Sequence, residues 1–332
     1  EELVVGETPN LAARWQAPPG PGAAVIPESP RRLLGSLFGF TDLGPLSLRG
    51  FADPVLAFGV SEGDHSEGRF EALHGQQLTP LIGREHELGL LLDRWQQARD
   101  GDGQVVLLAG EPGIGKSRII QSLRDRLANE PHTPLRYFCS PFHRNTAFHP
   151  ILDQIVHGAR IQREDPPDVK LDKLEALFAL SGMQTADATA MTAALLGIPT
   201  GTRYPLPALS PQARKTKIQE LWLQQLVGLA QQRPVLVLLE VAHWIDPSSL
   251  DQFDLAIAGI QQIPVLLVVT FRPEFVHPWG HHPHVTALLL NRLSHRQSVA
   301  MIERFTGSKR MPEEVLQQLV SKADGVPLFV EE

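Results

Sequence analysis

A chain of 332 residues, 42% of them hydrophobic, is long enough for two domains of about 150 residues each and a sizeable core. Its net charge of −7, with no long basic run, excludes an electrostatic case for nucleic acid or for an anionic membrane surface. Cys139 is the single cysteine, so no internal disulfide forms and a reducing, cytosolic setting is expected. The longest apolar runs, Val235–Leu239 and Val265–Thr270, fall far short of the ~20 residues that cross a bilayer. No signal-peptide pattern opens the chain. Beginning at Glu1 and ending in Glu331-Glu332 straight after an apolar stretch, it reads as a piece of a longer protein.

In the first 60 residues, Leu3-Val4-Val5 reads as a strand end and Gly6-Glu7-Thr8-Pro9 as a turn into a helix. Thr8 is its cap and Pro9 its first helical residue. That helix sets Asn10 and Arg14 on one face, and Pro18-Pro19-Gly20-Pro21 ends it. Ala24–Ile26 predicts a strand, Ser29-Pro30 starts a second helix, and Leu48 to Val60 supplies short strands around Gly50. Residues 61–78 open with the polar, glycine-containing run Ser61 to Gly68 and read as a linker.

From residue 79 onward the pattern changes. Leu81-Ile-Gly-Arg-Glu85 opens a helix with Leu88, Leu91, Leu92 and Trp95 on one face. Asp100-Gly-Asp-Gly103 then turns it into an apolar strand from Gln104 to Ala109. Gly110, Glu111, Pro112, Gly113, Ile114, Gly115, Lys116 and Ser117 follow, leading into a helix with Ile120, Leu123 and Leu127 on one face. Strand, glycine loop, helix is the context in which this spacing cradles phosphate. Gly110, Gly113 and Gly115 let successive N–H groups point inward, and the helix N-terminus adds its partial positive charge. Lys116 reaches the β- and γ-phosphates, and Ser117 offers its hydroxyl to Mg²⁺. The stretch predicts a nucleoside triphosphate site.

Leu135–Cys139 is a second strand, and residues 142–210 form a largely helical insert in which periodicity marks no site. The helix 212–232 buries Ile218, Trp222, Leu226 and Leu229 and leads to the strand Val235–Leu239. That strand ends on Glu240, where Mg²⁺ needs a carboxylate. Val241 stands where a second acid would activate water, so His243-Trp244 and Asp246 on the next loop are candidate substitutes. The strand Val265–Thr270 runs into Arg272, well placed at a carboxyl edge to neutralise a γ-phosphate; a plain surface arginine is the alternative. His277, His281, His282 and His284 crowd around Trp279, but adjacent histidines between prolines do not fix ligands on one face, and a solvated loop is expected there.

Two resemblances rest on these residues. Val5-Gly6-Glu-Thr-Pro-Asn10-Leu-Ala-Ala-Arg14, with Asp42-Leu-Gly44 and Leu48-Arg-Gly-Phe51, resembles the C-terminal part of a class III adenylate/guanylate cyclase domain. The resemblance implies that Asn10 orients a ribose and Arg14 stabilises charge developing on an α-phosphate. That family's two metal-binding aspartates lie upstream of the motif, in sequence this chain lacks, and its purine-selecting position falls near the apolar Leu3. Residues 1–60 are therefore read as a remnant that does not cyclise.

Residues 79–332 resemble a signal-transduction NTPase of the AAA-related, STAND type that follows cyclase domains in large bacterial regulators. The carriers are Leu81-Ile-Gly-Arg-Glu85, the phosphate loop, Leu239-Glu240-Val-Ala-His-Trp244-Ile-Asp246, Thr270-Phe-Arg272-Pro and Gly325-Val-Pro327-Leu-Phe329. The resemblance implies adenine near Arg84, Pro327 packed on the nucleotide, ATP and Mg²⁺ as cofactors, and partner-binding repeats or self-association beyond this chain. The family pattern has Glu-Asp where this chain has Glu240-Val241, which implies slow or impaired hydrolysis. The expected fold is α/β, a parallel-sheet NTPase with a helical insert, preceded by an incomplete α+β cyclase domain. The expected function is an ATP-binding switch. Two alternatives stay open: an active cyclase in the full-length protein regulated by this ATPase, and a non-enzymatic scaffold that uses ATP for stability.

Overall fold

The computed structural model describes residues 24–34, 38–47, 54–61, 81–306 and 311–331. The chain divides into two compact units, Glu1–Pro80 and Leu81–Glu332. In the first, strands β1 (Ala24–Pro27), β2 (Gly39–Leu46) and β3 (Val55–Ser61) form an antiparallel sheet of order β1-β3-β2, and helix α1 (Glu28–Leu34) follows β1. Ala57 of the central strand is fully buried, with Val25, Leu46 and Val55 packed on it. Strand β2 does not read as a strand in the sequence, because its two glycines and a proline are turn punctuation. Its register slips between Asp42 and Gly44, where Gly44 takes φ +75° and donates its N–H to Asp42 Oδ1 at 2.8 Å. Asn10, Arg14, Leu3 and the Leu48–Phe51 part of the cyclase motif lie outside the described residues.

The second unit is built on five parallel strands, β4 (Gln104–Gly110), β5 (Thr133–Phe138), β6 (Val235–Glu240), β7 (Val265–Phe271) and β8 (Val285–Leu290), in the order β5-β6-β7-β4-β8. Every residue of β6 and β7 is buried, as unbroken apolar runs require when helices cover both faces. Strand β4 divides its side chains between two cores with period two. Val106 and Leu108 join helices α2 (Glu85–Arg99) and α3 (Lys116–Leu127) on one face. Val105 and Leu107 join the insert on the other. Each such fully buried aliphatic side chain contributes about 1.5–3 kcal/mol over leaving it in water.

The insert consists of α4 (His149–Gly158), α5 (Pro167–Ala179), α6 (Thr185–Leu195) and the long α7 (Pro211–Gln232). Prolines sit in the first turns of α4, α5 and α7, where the missing N–H costs nothing. Helix α8 (Pro247–Gly259) joins β6 to β7, and α9 (His295–Phe305), α10 (Glu313–Ala323) and α11 (Leu328–Glu331) close the unit. The edge strand β8 has no sequence expectation, since it is half-exposed and follows the histidine loop directly. The start of α9 carries a legible signal, a capping box of Ser294 and Gln297.

One consequence of the strand order governs the site. Because all five strands are parallel, the loops after β4, β6 and β7 emerge at the same carboxyl edge, and β7 lies between β4 and β6. The phosphate loop, Glu240 and Arg272 are thereby brought along one edge.

Candidate functional site

The glycines at the turn from β4 into α3 hold backbone that other residues resist. Gly113 has φ +74° and Gly115, which precedes the helix, has φ +101°. Gly110 serves close approach instead: a Cβ there would stand 2.7 Å from Ile114 Cγ2. Ile114 is fully buried and anchors the loop in the core under α2 and α3. Lys116 curls back over the loop, its Nζ donating to the carbonyls of Gly110 at 2.5 Å and Glu111 at 2.9 Å. Burial, and then the nearby Arg272 charge, lower its pKa from 10.5 to about 8, partly offset by Glu274. This is a cationic lobe that gains from a polyanion.

Arg84 clasps the loop from outside. Its Nη2 donates to the carbonyls of Asn291 at 2.6 Å and Ile114 at 3.3 Å, and its Nη1 pairs with Glu87 at 3.2 Å. The guanidinium that the resemblance sets near adenine is thus engaged with the phosphate loop and with the chain leaving β8. Pro327 lies in a segment that leans on the same loop. Leu328 N donates to Gly113 O at 3.3 Å, and Leu293 N to Gly325 O at 2.8 Å. A Cβ on Gly113 would meet Leu328 Cβ at 2.9 Å and Val326 Cγ1 at 3.1 Å. Glu111 pairs with Arg292 at 2.9 Å, and Arg292 pairs also with Asp324.

At the end of β6, the buried Glu240 accepts from Arg136 Nη2 at 2.7 Å and from its Nε at 3.3 Å, both on Oε1. Arg136 comes from the neighbouring strand β5, where Phe138 is the register partner of Glu240. The donors suited to a hard cation here are the Ser117 hydroxyl and the Glu240 carboxylate. No group of three or more His, Cys, Asp or Glu among the described residues forms a metal cluster. That donor set fits Mg²⁺ held largely through phosphate oxygens and water rather than in a cage of protein ligands.

Val241 takes φ +61°, left-handed backbone that a β-branched residue adopts only under strain, and its N–H donates to Thr270 Oγ1 at 3.1 Å. Asp246 is employed structurally. It is buried at 1% exposure, Oδ1 accepts from Ser249 N at 3.0 Å and Phe148 N at 2.9 Å, and Oδ2 accepts from Ser249 Oγ at 2.6 Å. With three protein donors on its oxygens it caps α8, and a carboxylate so engaged is not placed to orient water.

Trp244 carries two guanidinium groups, Arg144 at 5.0 Å and Arg272 at 6.0 Å from its ring centre. His243 packs against it at 5.1 Å, with both ring nitrogens buried and without a hydrogen-bond partner. Burial, then the charges of Arg272 and Lys116, push the pKa of His243 down to about 4. Arg144 and Arg136 had no sequence signal, because one lies in the insert and the other inside a strand, and only folding brings them to this edge. The histidine loop is occupied internally: His277 stacks on Trp279 at 5.8 Å and His284 Nε2 bonds Ile257 O at 2.8 Å.

Residues 80–269 match the family model described as an AAA ATPase domain. A curated protein of Rhizobium meliloti (strain 1021), named only as uncharacterized, is 31% identical over 341 residues, covering 100% of this chain and 32% of that protein. The chain thus spans about a third of the length of this relative. Among solved structures, a STAND protein with a tetratricopeptide repeat sensor from Pyrococcus horikoshii aligns at 14% identity and a TM-score of 0.39, covering 76% of this chain and 30% of that one. The E. coli MS115-1 HORMA:CdnC:Trip13 complex aligns at 12% identity and 0.37, covering 73% of this chain and 74% of that one. With a family match that runs from before α2 into β7 and over more than half of its length, the chain belongs to the AAA ATPase domain family.

Proposed function

We propose that residues 79–332 are an ATP-binding switch, holding Mg-ATP at Gly110–Ser117 and hydrolysing it slowly, within a larger signalling protein. The observation that carries this reading is Lys116, a half-buried cation whose hydrogen bonds among the described residues go to carbonyls of its own loop, and whose pKa is lowered by burial and by Arg272. A triphosphate supplies the opposite charge that this arrangement favours. The loop N–H groups and the start of α3 would cradle the phosphates. Lys116 and Arg272 would bear on the γ-phosphate, with Pro327 and the region of Arg84 toward the adenine by family resemblance. Ser117 and Glu240 would hold Mg²⁺, which when bound neutralises charge on the β- and γ-oxygens. Slow turnover follows from Val241, which has no acid to offer. The contacts of Gly113 with Leu328, and of Glu111 with Arg292, which pairs in turn with Asp324, would give the loop a route to α9–α11, so that the nucleotide state reaches the C-terminal helices.

The second reading concerns the N-terminal part and rests on its motif. Residues 1–60, with Asn10 and Arg14, would be the end of a cyclase domain, joined by a linker at 61–78, and the longer protein would be a cyclase governed by this ATPase. Protein partners would bind beyond residue 332.

Thermal unfolding with and without Mg-ATP tests the main reading. A ligand at a hundred times its Kd stabilises by about 2.7 kcal/mol, and Lys116→Ala should abolish that gain. Equal stabilisation of the Lys116→Ala chain would overturn the site. Product analysis with α-labelled ATP should show ADP alone; cyclic AMP would overturn the remnant reading of residues 1–60.

A further inference from the structure

The loop Val241–Asp246 leaves one side chain unexplained. The N–H of Val241 is bonded to Thr270, and the carboxylate of Asp246 is bonded to Ser249 and Phe148. The two ring nitrogens of His243 are buried with no partner, beside a tryptophan that carries Arg272 and Arg144. Imidazole nitrogens that are buried and unbonded are costly unless something else bonds them. Besides burial, the charges that act on it are those of Arg272 and Lys116 of the phosphate site, then Glu274 and Arg144. At neutral pH the ring is uncharged, so one nitrogen is a donor and the other an acceptor.

We propose that His243 is the γ-phosphate-side group of this site: one ring nitrogen accepts from the water that attacks the γ-phosphorus, and that water bridges the ring to the γ-phosphoryl group in the bound triphosphate. This rests on the ATP reading above. In that step the water oxygen bonds to the γ-phosphorus, and the bond from that phosphorus to the β–γ bridging oxygen breaks with its electron pair going to ADP. The water's proton leaves with the inorganic phosphate. His243 thus performs the orienting task for which Val241 has no polar atom.

Four chains test this: wild type, His243→Phe, His243→Gln and the double variant Val241→Asp/His243→Phe. The readouts are ADP formation, melting temperature, and calorimetric affinity for Mg-ADP against a β,γ-imido analogue of Mg-ATP. Phenylalanine keeps the ring and its packing on Trp244 but removes both unpartnered nitrogens, so His243→Phe should melt no lower than wild type. It should bind the triphosphate analogue about tenfold more weakly with ADP affinity unchanged, a loss on the scale of one hydrogen bond to a charged group, and make ADP about a hundredfold more slowly. His243→Gln, which keeps a donor and an acceptor, should recover the analogue affinity, and the double variant should recover ADP formation. Wild-type turnover and wild-type preference for the analogue in His243→Phe would overturn the proposal, as would equal weakening of both nucleotides. A wild-type chain that binds the analogue but forms no ADP would also overturn it, leaving the binding site intact. If wild type bound neither nucleotide, the ATP reading itself would have failed.

Discussion

Lys116 shows how one residue converts burial into a measurable. Its pKa of about 8, against 10.5 for a free lysine, means the fold disfavours the charged form. The unfolded chain therefore holds more protons between those values, and this residue's contribution to stability rises with pH across that window; below about pH 8 its penalty is fully present. Triphosphate reverses the sign by supplying opposite charge. Binding of Mg-ATP at about pH 8.5 should take up a large part of one proton, falling toward none near pH 7, where Lys116 is already charged. Calorimetry in buffers of different ionisation enthalpy reads this directly, and equal uptake at both pH values would contradict it. Val241 makes a second prediction. Asparagine tolerates left-handed backbone where valine is strained, so Val241→Asn should stabilise by roughly 1 kcal/mol and raise the melting temperature by about 2–4 °C. A lower melting temperature would show that the valine side chain packs more favourably than its backbone is strained. Val241→Asp should in addition speed ADP formation, because it restores an acid where water is oriented.

Among the elements, α8 depends on a residue that its sequence context presents as chemistry. Asp246 follows an apolar strand and a carboxylate, the position of a catalytic acid, yet its oxygens cap α8 and tie down Phe148 at the start of α4. Asp246→Ala should cost about 2–4 kcal/mol, the lost cap plus a buried N–H left unpaired. Asp246→Asn, which keeps an acceptor for both N–H groups, should cost less and leave ADP formation near wild type; a large loss of turnover in a well-folded Asp246→Asn chain would return Asp246 to the chemistry. The helices and strands themselves were largely legible. The helix from Glu85, the strands at 235 and 265 and the helix at 211 follow the expected spacing, because each is either a continuous apolar run or a stripe at helical period. Strands β2 and β8 were not, one being broken by glycines and proline and the other lying half-exposed at the sheet edge.

For the whole molecule, the phosphate loop and the partners described for it lie in the unit Leu81–Glu332. Mg-ATP should therefore raise hydrogen-exchange protection in Gly110–Ser117, in the loop Val241–Ile245 and in the segment Gly325–Leu328 that bonds to Gly113. Protection gained only in the loop would mean that the C-terminal helices do not sense the nucleotide. No helix among the described residues is long and apolar enough to cross a membrane.

The sequence by itself determined the phosphate loop, since its eight residues are contiguous and their spacing is the mechanism. It also determined which strands are buried, since hydrophobic runs report burial directly. What it could not determine is adjacency. Glu240 meets Arg136, 104 residues away, because β5 pairs with β6. Arg84 clasps Asn291 across 207 residues, and the charges of Arg272 and Lys116 act on His243 because β7 lies between β4 and β6. Periodicity reports which face of an element is covered and is silent about what covers it; the strand order supplies that, and with it the charges and hydrogen-bond partners of the site.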